Sequence, residues 1–243
     1  MNLESVLVII QWMGGLTAFA VLGVVLYGVW QGTQRQPGRT SGRAGVWLRS
    51  WWLYLAFSTF FFGIAYLGWI PLPISISPTL RTWMLVGGSL LYFPGMALLL
   101  WGRLELGRNY FVSTGLGAQL FSDQQLVTTG PYALVRHPMY IGLILSALGS
   151  LLLYTTWTTV YFAFFAPLMF VRAWREEQTL AAEFGEQWQQ YCQRVPAYIP
   201  RLRKDVSMMS ETKPLERRQS RRAAEIESTM QSEVEIRQWQ EHS

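Results

Sequence analysis

Cysteine is almost absent from this chain. Its one thiol, Cys192, excludes an internal disulfide framework and any multi-cysteine zinc site. Histidine is nearly as scarce, with two in 243 residues, and no H-E-x-x-H occurs. Charge is short as well: Asp, Glu, Lys and Arg make up 14% of the chain, where a soluble domain usually carries ~25%. That is too little to cover a soluble protein of this size, and it argues against a disordered chain, a coiled coil and most soluble enzymes. Lysine is missing altogether from residues 1–202, which hold twelve Arg against seven Asp or Glu. The formal net charge of +5 therefore belongs to the apolar part of the chain. Arginines at a membrane surface explain it better than a nucleic-acid patch, which needs clustered basic residues on a soluble face.

What is present is apolar. Hydrophobic residues reach 51%, with 12 Trp, 11 Tyr and 13 Phe. About 20 apolar residues cross a bilayer core. Leu3–Trp30, with only Glu4 at its edge, reads as a first span. Ala18-Phe19-Ala20 resembles a signal cleavage site, but no Lys or Arg precedes the apolar run and the run continues beyond it, so a retained helix is expected. After a polar loop with Arg35, Arg39, Arg43 and Arg49, Trp51–Ile70 is the second span. Pro71, Pro73 and Pro78 predict a turn, and Thr82–Gly102 is the third span, with a kink expected at Pro94-Gly95. Residues 103–136 are mixed in character and read as an interfacial segment and loop. Met139–Val171 then runs without a formal charge. One helix of that length would measure about 50 Å, so a hairpin of two short helices, turning near Tyr154–Thr159, is expected instead.

Arginine-rich and arginine-poor loops alternate along this order. The bias predicts five spans, with the N-terminus outside and the C-terminus in the cytoplasm. The expected fold is thus all-α: a multi-pass membrane helix bundle of about five spans, the last two a helical hairpin, with a cytoplasmic cofactor pocket. Residues 1–102 form three N-terminal spans. Residues 103–202 form a core of interfacial loop, hairpin and C-terminal capping segment. Residues 203–243 form a polar, charge-balanced tail, either a solvated helix or disordered. The lack of Lys in the membrane portion fits a bacterial inner membrane.

Chemistry concentrates at the two ends of the hairpin. Gly130-Pro131 signals a turn that delivers Tyr132, Arg136 and His137 to a helix starting at Pro138, followed by Met139 and Tyr140. At the other end, Arg172 and Glu176 are four apart and share a helix face, with Glu177 beside them. Antiparallel legs return both ends to one membrane side, so His137 and Glu176 are expected to face one another. Charges at a membrane boundary are costly unless paired or functional. Phe184, Trp188 and Tyr191 keep helical spacing, and either cap this place or pack on the surface. Cys192 reads as a small packing residue.

Leu-Val-Thr-Thr-Gly-Pro-Tyr through Val-Arg-His-Pro-Met-Tyr-Ile-Gly at 126–142 resembles the isoprenylcysteine carboxyl methyltransferase family. So does Arg-x-x-x-Glu-Glu-x-x-Leu, followed by Phe-Gly, Tyr and Arg-Val-Pro, at 172–196. This family and the related phospholipid methyltransferases are integral membrane enzymes that use S-adenosylmethionine. The resemblance spans about residues 100–202, with both motifs in order. It implies cofactor contacts from Gln124, Gln125, Leu126 and Val127, from Tyr132, from His137, Pro138, Met139 and Tyr140, and from Glu176. It implies Arg172 facing the methyl acceptor, with catalytic roles for Arg172 and His137 and support from Arg136 and Glu177. The chain departs from the prenylcysteine enzymes at Gln124, where they commonly carry His.

The implied partners are the bilayer and a lipid-like or small apolar acceptor, most like a prenylcysteine carboxylate, with no nucleic acid and no metal. A phospholipid amine and a small thiol are alternative acceptors. A membrane sterol reductase with a similar C-terminal architecture and a nicotinamide cofactor, and a non-enzymatic membrane scaffold, are the readings of other classes.

Overall fold

Two long helices set the frame, because their sequences leave no polar stripe to face water. A computed structural model describes residues 3–34, 51–110 and 124–200. Most of the first arginine-rich loop, residues 111–123 and the charged tail with His242 lie outside the described residues. Helix α1, Leu3–Thr33, opens with Glu4 in its first turn, where a carboxylate complements the helix dipole. Helix α2 is Trp51–Leu67. Helix α3, Pro78–Leu106, is the second long one. Among the described residues, only α1 and α3 are long and apolar enough to cross a bilayer by length and composition. At 17 residues each, α2 and helix α4 (Pro138–Tyr154) reach about 25 Å, short of a ~30 Å core. Large apolar side chains point outward all along these helices, among them Trp12 at 71%, Phe19 at 75% and Leu90 at 69% exposure. Such surface is tolerable against lipid and unfavourable against water.

Helix α3 is longer than the sequence pattern suggests, at both ends. Pro78 does not belong to the turn before it. It occupies the first helical position, where its missing N–H is no loss, and the Ser77 side chain accepts the Leu80 N–H at 3.3 Å. At the other end the helix carries on through Arg103 to Leu106, so the expected boundary at residue 102 falls inside it. Arg103 is buried, with its guanidinium lying on Gly28 of α1, 4.4 Å from the Tyr110 ring centre and donating to the Gly107 carbonyl. The helix continues through Pro94.

The most extensive helix contact is between α3 and α4. Small residues make it possible. Gly88, Gly95 and Gly102 recur every seven positions on α3, and Gly142, Ser146 and Gly149 line the facing side of α4. A Cβ on Gly95 would sit 2.8 Å from the Gly142 carbonyl oxygen. One on Gly149 would sit 2.5 Å from the Tyr92 nitrogen. The two backbones therefore touch, which is how membrane helices associate without a hydrophobic driving force.

The hairpin turns at Thr155, in left-handed backbone (φ 50°) that ends α4. Helix α5, Trp157–Phe165, starts from Thr156 in a reciprocal cap with Thr159. Side chains take two of the carbonyls left over at the end of α4. Arg81 donates to Leu152 and Leu153 at 3.2 and 2.8 Å, and Gln11 donates to Leu153 at 2.9 Å. The Gly68–Leu72 segment pairs with residues 155–158 through Leu72 N to Thr155 O and Thr158 N to Gly68 O. The hairpin tip is thus tied to α1, to the α2–α3 connection and to α3. The returning leg breaks at Ala166–Pro167, and helix α6, Leu168–Arg194, carries it out to the site.

Candidate active site

The site is assembled where α4 begins and α6 passes it. Gly130, at φ 56°, and Pro131 form a 3-10 turn that buries Tyr132 and reverses the chain. His137 is the residue before α4, and Pro138 takes its first turn. The segment after α6 is pinned to this entry by two backbone bonds, Arg136 N to Pro196 O at 2.9 Å and His137 N to Ala197 O at 3.1 Å. That return depends on Gly185. Its φ of 48° and ψ of −116° bend α6, so that Trp188, Tyr191 and Val195 pack together with Leu126, Leu180 and Phe184. The Tyr191 hydroxyl donates to the Tyr132 carbonyl at 2.7 Å. The aromatic residues of α6 therefore close over the 126–132 segment. Gly185→Leu places a side chain on backbone that only glycine adopts easily, and should cost about 1–3 kcal/mol. A matching drop in thermal stability in detergent checks this.

Two side-chain chains meet here. In the first, the Tyr140 hydroxyl donates to Glu176 Oε2 at 2.6 Å and accepts from Arg172 Nε at 3.0 Å. In the second, Glu177 Oε1 is shared by His137 Nε2 at 2.8 Å and Arg136 Nη1 at 3.1 Å. His137 thus pairs with Glu177, not with Glu176 as the hairpin argument suggests. Both carboxylates lie on the same turn of α6, and a shift of one residue rotates the contact about 100° around the helix. His137 is buried and stacks with Tyr140 and Tyr198, whose ring centres are 5.6 and 5.5 Å away. Arg136 also donates to Cys192 Sγ at 2.6 Å and lies 5.6 Å from the Trp188 ring centre.

Of the residues singled out in the sequence, His137, Tyr140, Arg172 and Glu176 come together. Gln124 and Gln125 bond Asn109 instead, the first through its side chain to the Asn109 carbonyl at 3.0 Å, the second through its backbone N–H to the Asn109 side chain at 3.2 Å. Leu126 joins the Trp188 cluster, while Val127 stays half-buried beside it. Pro138 is buried, and Met139 lies over Gly102 of α3. A cavity of about 290 Å3 opens elsewhere, between the end of α1 and the turn after α3, lined by Gly28, Gln31, Arg108 and Tyr110 among others. None of the residues singled out above lines it. Tyr198, which stacks on His137 and Phe170, was not distinguished by sequence reasoning. Its place in Val195-Pro-Ala-Tyr-Ile-Pro was the available signal.

Burial raises the Glu177 carboxyl, but the His137 hydrogen bond and the Arg136 charge outweigh it and hold the group below the usual carboxylate range. A depressed folded value contributes stability that is complete above the unfolded carboxylate range, about 4.3, and is lost as pH falls through the folded value. Thermal stability should therefore drop on acidification below that range, and drop less in Glu177→Gln. Burial, followed by the Glu176 charge, pushes the Tyr132 hydroxyl well above its ordinary range, so it remains a donor. Burial also pushes the Cys192 thiol up despite Arg136, which suits a packing residue better than a nucleophile.

Residues 89–182 match the sequence model of the isoprenylcysteine carboxyl methyltransferase (ICMT) family. Over that segment the chain is similar to this family. The match takes in α3 from Ser89, the turn at Gly130, the α4–α5 hairpin, and Glu176 and Glu177 of α6. Among relatives, the protein-S-isoprenylcysteine O-methyltransferase of Schizosaccharomyces pombe is 40% identical over 84 residues, 32% of this chain and 34% of that protein. The Delta(14)-sterol reductase of Mus musculus is 36% identical over 81 residues, 32% of this chain and 19% of that protein. The methanethiol S-methyltransferase 2 of Bradyrhizobium diazoefficiens is 30% identical over 161 residues, 61% of this chain and 59% of that protein. The chain thus spans between about a fifth and three-fifths of the length of these relatives.

Proposed function

We propose that this protein is an integral membrane methyltransferase that takes its methyl group from S-adenosylmethionine and delivers it to a lipid-like acceptor, most like a prenylcysteine carboxylate. The observation that carries the reading is the convergence of Arg172, Tyr140 and Glu176 with His137 and Glu177 at the mouth of a hairpin within the family segment. The donor set fits the methyl donor. Glu176 suits its ammonium or hydroxyl groups, arginine suits its carboxylate, and two arginines against two carboxylates leave the site able to take a zwitterion. When bound, the donor supplies a methyl group activated by a sulfonium.

The chain's own residues then position and balance charge rather than act as strong acids or bases. Arg172, steadied through Nε by Tyr140, would hold an acceptor carboxylate. Such a carboxylate is ionised at neutral pH and needs no general base. This suits a site where the His137 Nε2 is engaged by Glu177 and Glu176 already accepts a hydrogen bond from Tyr140.

The five apolar stretches are taken as five spans, with α2, α4 and the α5–α6 leg short, the N-terminus outside, and the hairpin mouth and C-terminus cytoplasmic. A water-soluble donor then enters from the cytoplasm and the acceptor from the bilayer. The lone cysteine offers the check: Cys192 should react with a membrane-impermeant thiol reagent only after the cytoplasmic face is opened.

A small-thiol acceptor is the second reading, favoured by the methanethiol enzyme, a relative that matches across 61% of this chain. The two are separated by incubating the purified protein in lipid with methyl-labelled donor and, in turn, an S-farnesylcysteine derivative, phosphatidylethanolamine and methanethiol. Base-labile label on farnesylcysteine is the expected result. Label on methanethiol alone would establish the second reading, and no transfer to any acceptor would remove both.

A further inference from the structure

We propose that Glu177 is a positioning residue: it fixes His137 as the Nε2-protonated tautomer and so presents Nδ1 as a hydrogen-bond acceptor to an N–H or O–H group of the methyl donor. The ligand half rests on the functional reading above; the tautomer half stands on the geometry alone.

The ring of His137 is held by its neighbours. Its backbone N–H is bonded to Ala197, Tyr140 and Tyr198 stack on the ring, and its side chain is 4% exposed. That clamp opposes a ring flip. Nε2 meets a carboxylate oxygen at 2.8 Å, and a carboxylate only accepts. The proton therefore belongs on Nε2, and the neutral ring carries its lone pair on Nδ1. Arg136 secures the arrangement by donating to the same Glu177 oxygen, which keeps that carboxylate ionised and in place. Arg136 is itself located by Cys192, by Trp188 and by its backbone bond to Pro196.

At the N-cap position a side chain usually accepts a backbone N–H of the first turn, yet His137 makes no such bond. Among the described residues Nδ1 has no protein partner, although the side chain around it is almost fully buried. Nδ1 is not among the enclosed side-chain atoms that lack a partner, so it stays open to a hydrogen-bond donor from outside the protein. A donor arriving one turn from the Tyr140–Glu176 pair supplies that bond. Doubly protonated imidazole would instead set three cations against two carboxylates and offer Nδ1 as a donor.

The chain's two histidines make this directly measurable. Protein labelled with 15N-histidine, with His242→Asn to leave one signal, reports the protonation of each ring nitrogen without any activity assay. The expected result is Nε2–H with bare Nδ1, and a shift of the Nδ1 resonance when S-adenosylhomocysteine is added. Glu177→Met should mix the tautomers and weaken S-adenosylhomocysteine binding about tenfold. Glu177→Gln, whose amide oxygen can still accept from Nε2, should keep the tautomer and most of the affinity. A purely structural Glu177 would lower stability in both variants and leave the tautomer of the folded protein unchanged. An Nδ1–H or imidazolium form in the unsubstituted protein overturns the proposal. So does an unmoved Nδ1 resonance at saturating S-adenosylhomocysteine. No binding at all, with the Nε2–H form intact, overturns the ligand half together with the methyl-donor reading and leaves the Glu177–His137 arrangement standing.

Discussion

Gly95→Leu should abolish the native pairing of α3 and α4, and Gly149→Val should do the same from the other side. At Gly95 even the first added carbon would meet Ser146 Oγ, the Gly142 carbonyl and the Ser146 nitrogen at 2.7, 2.8 and 2.8 Å. Two of those three atoms are backbone, so no side-chain rotation relieves the clash. The helices must separate, and with them the Tyr92, Leu85 and Leu153 cluster that fills their crossing. Overpacking a well-packed interior typically costs about 1–3 kcal/mol, and displacing two helix backbones belongs at or above the top of that range. Gly15, Gly23 and Gly63 are the controls, since an added Cβ meets nothing within 4 Å. Alanine there should leave the elution profile and melting temperature in detergent nearly unchanged, while Gly95→Leu and Gly149→Val give aggregated protein or a large fall in melting temperature.

The second large effect concerns the acceptor side of the site. Arg172→Gln should reduce the acceptor kcat/KM by about 100- to 1000-fold, the usual consequence of removing a preorganised charged partner. It should leave donor affinity within a few-fold, because Glu176 keeps its bond to Tyr140. Tyr140→Phe should act on both. It removes the hydroxyl that Arg172 donates to and the one that Glu176 accepts from, leaving two charged groups without the atom that joins them. Donor affinity and acceptor kcat/KM should both fall, by roughly tenfold or more for a hydrogen bond to a charged group. Separate titrations of donor and acceptor distinguish the two patterns. Equal losses of donor affinity in both variants would contradict the placing of Arg172 on the acceptor side.

Much of this was legible in the sequence. The apolar runs set the helices, and the uncharged stretch from Met139, too long for one span, required the hairpin found at Thr155. Helix ends were less legible. Proline at 78 signals a turn and a helix start equally, and the side-chain acceptor at Ser77 decides between them. Arg103 looked like the first charge beyond a span, but the glycine at 28 lets α1 accommodate it inside the helix pair. Glycine spacing on α3 and α4 was visible, yet which glycines touch backbone depends on a crossing no single strand of sequence specifies. In the site, four of the named residues met as the hairpin required. The partner of His137 was mis-set by one position, because neighbouring glutamates on a helix point in different directions. Tyr198 and Cys192 enter through the kink at Gly185, which returns the chain over the site and leaves only Phe-Gly as its mark.

The central claim is that the hairpin mouth binds the methyl donor. Equilibrium binding of S-adenosylmethionine to the detergent-purified protein tests it most directly, with Glu176→Gln beside it. The account predicts saturable binding to the unsubstituted protein and an affinity lower by about 30-fold or more in the variant, with both proteins folded and of similar melting temperature. Well-folded protein that binds no S-adenosylmethionine, or a Glu176→Gln variant that binds it equally well, would contradict it.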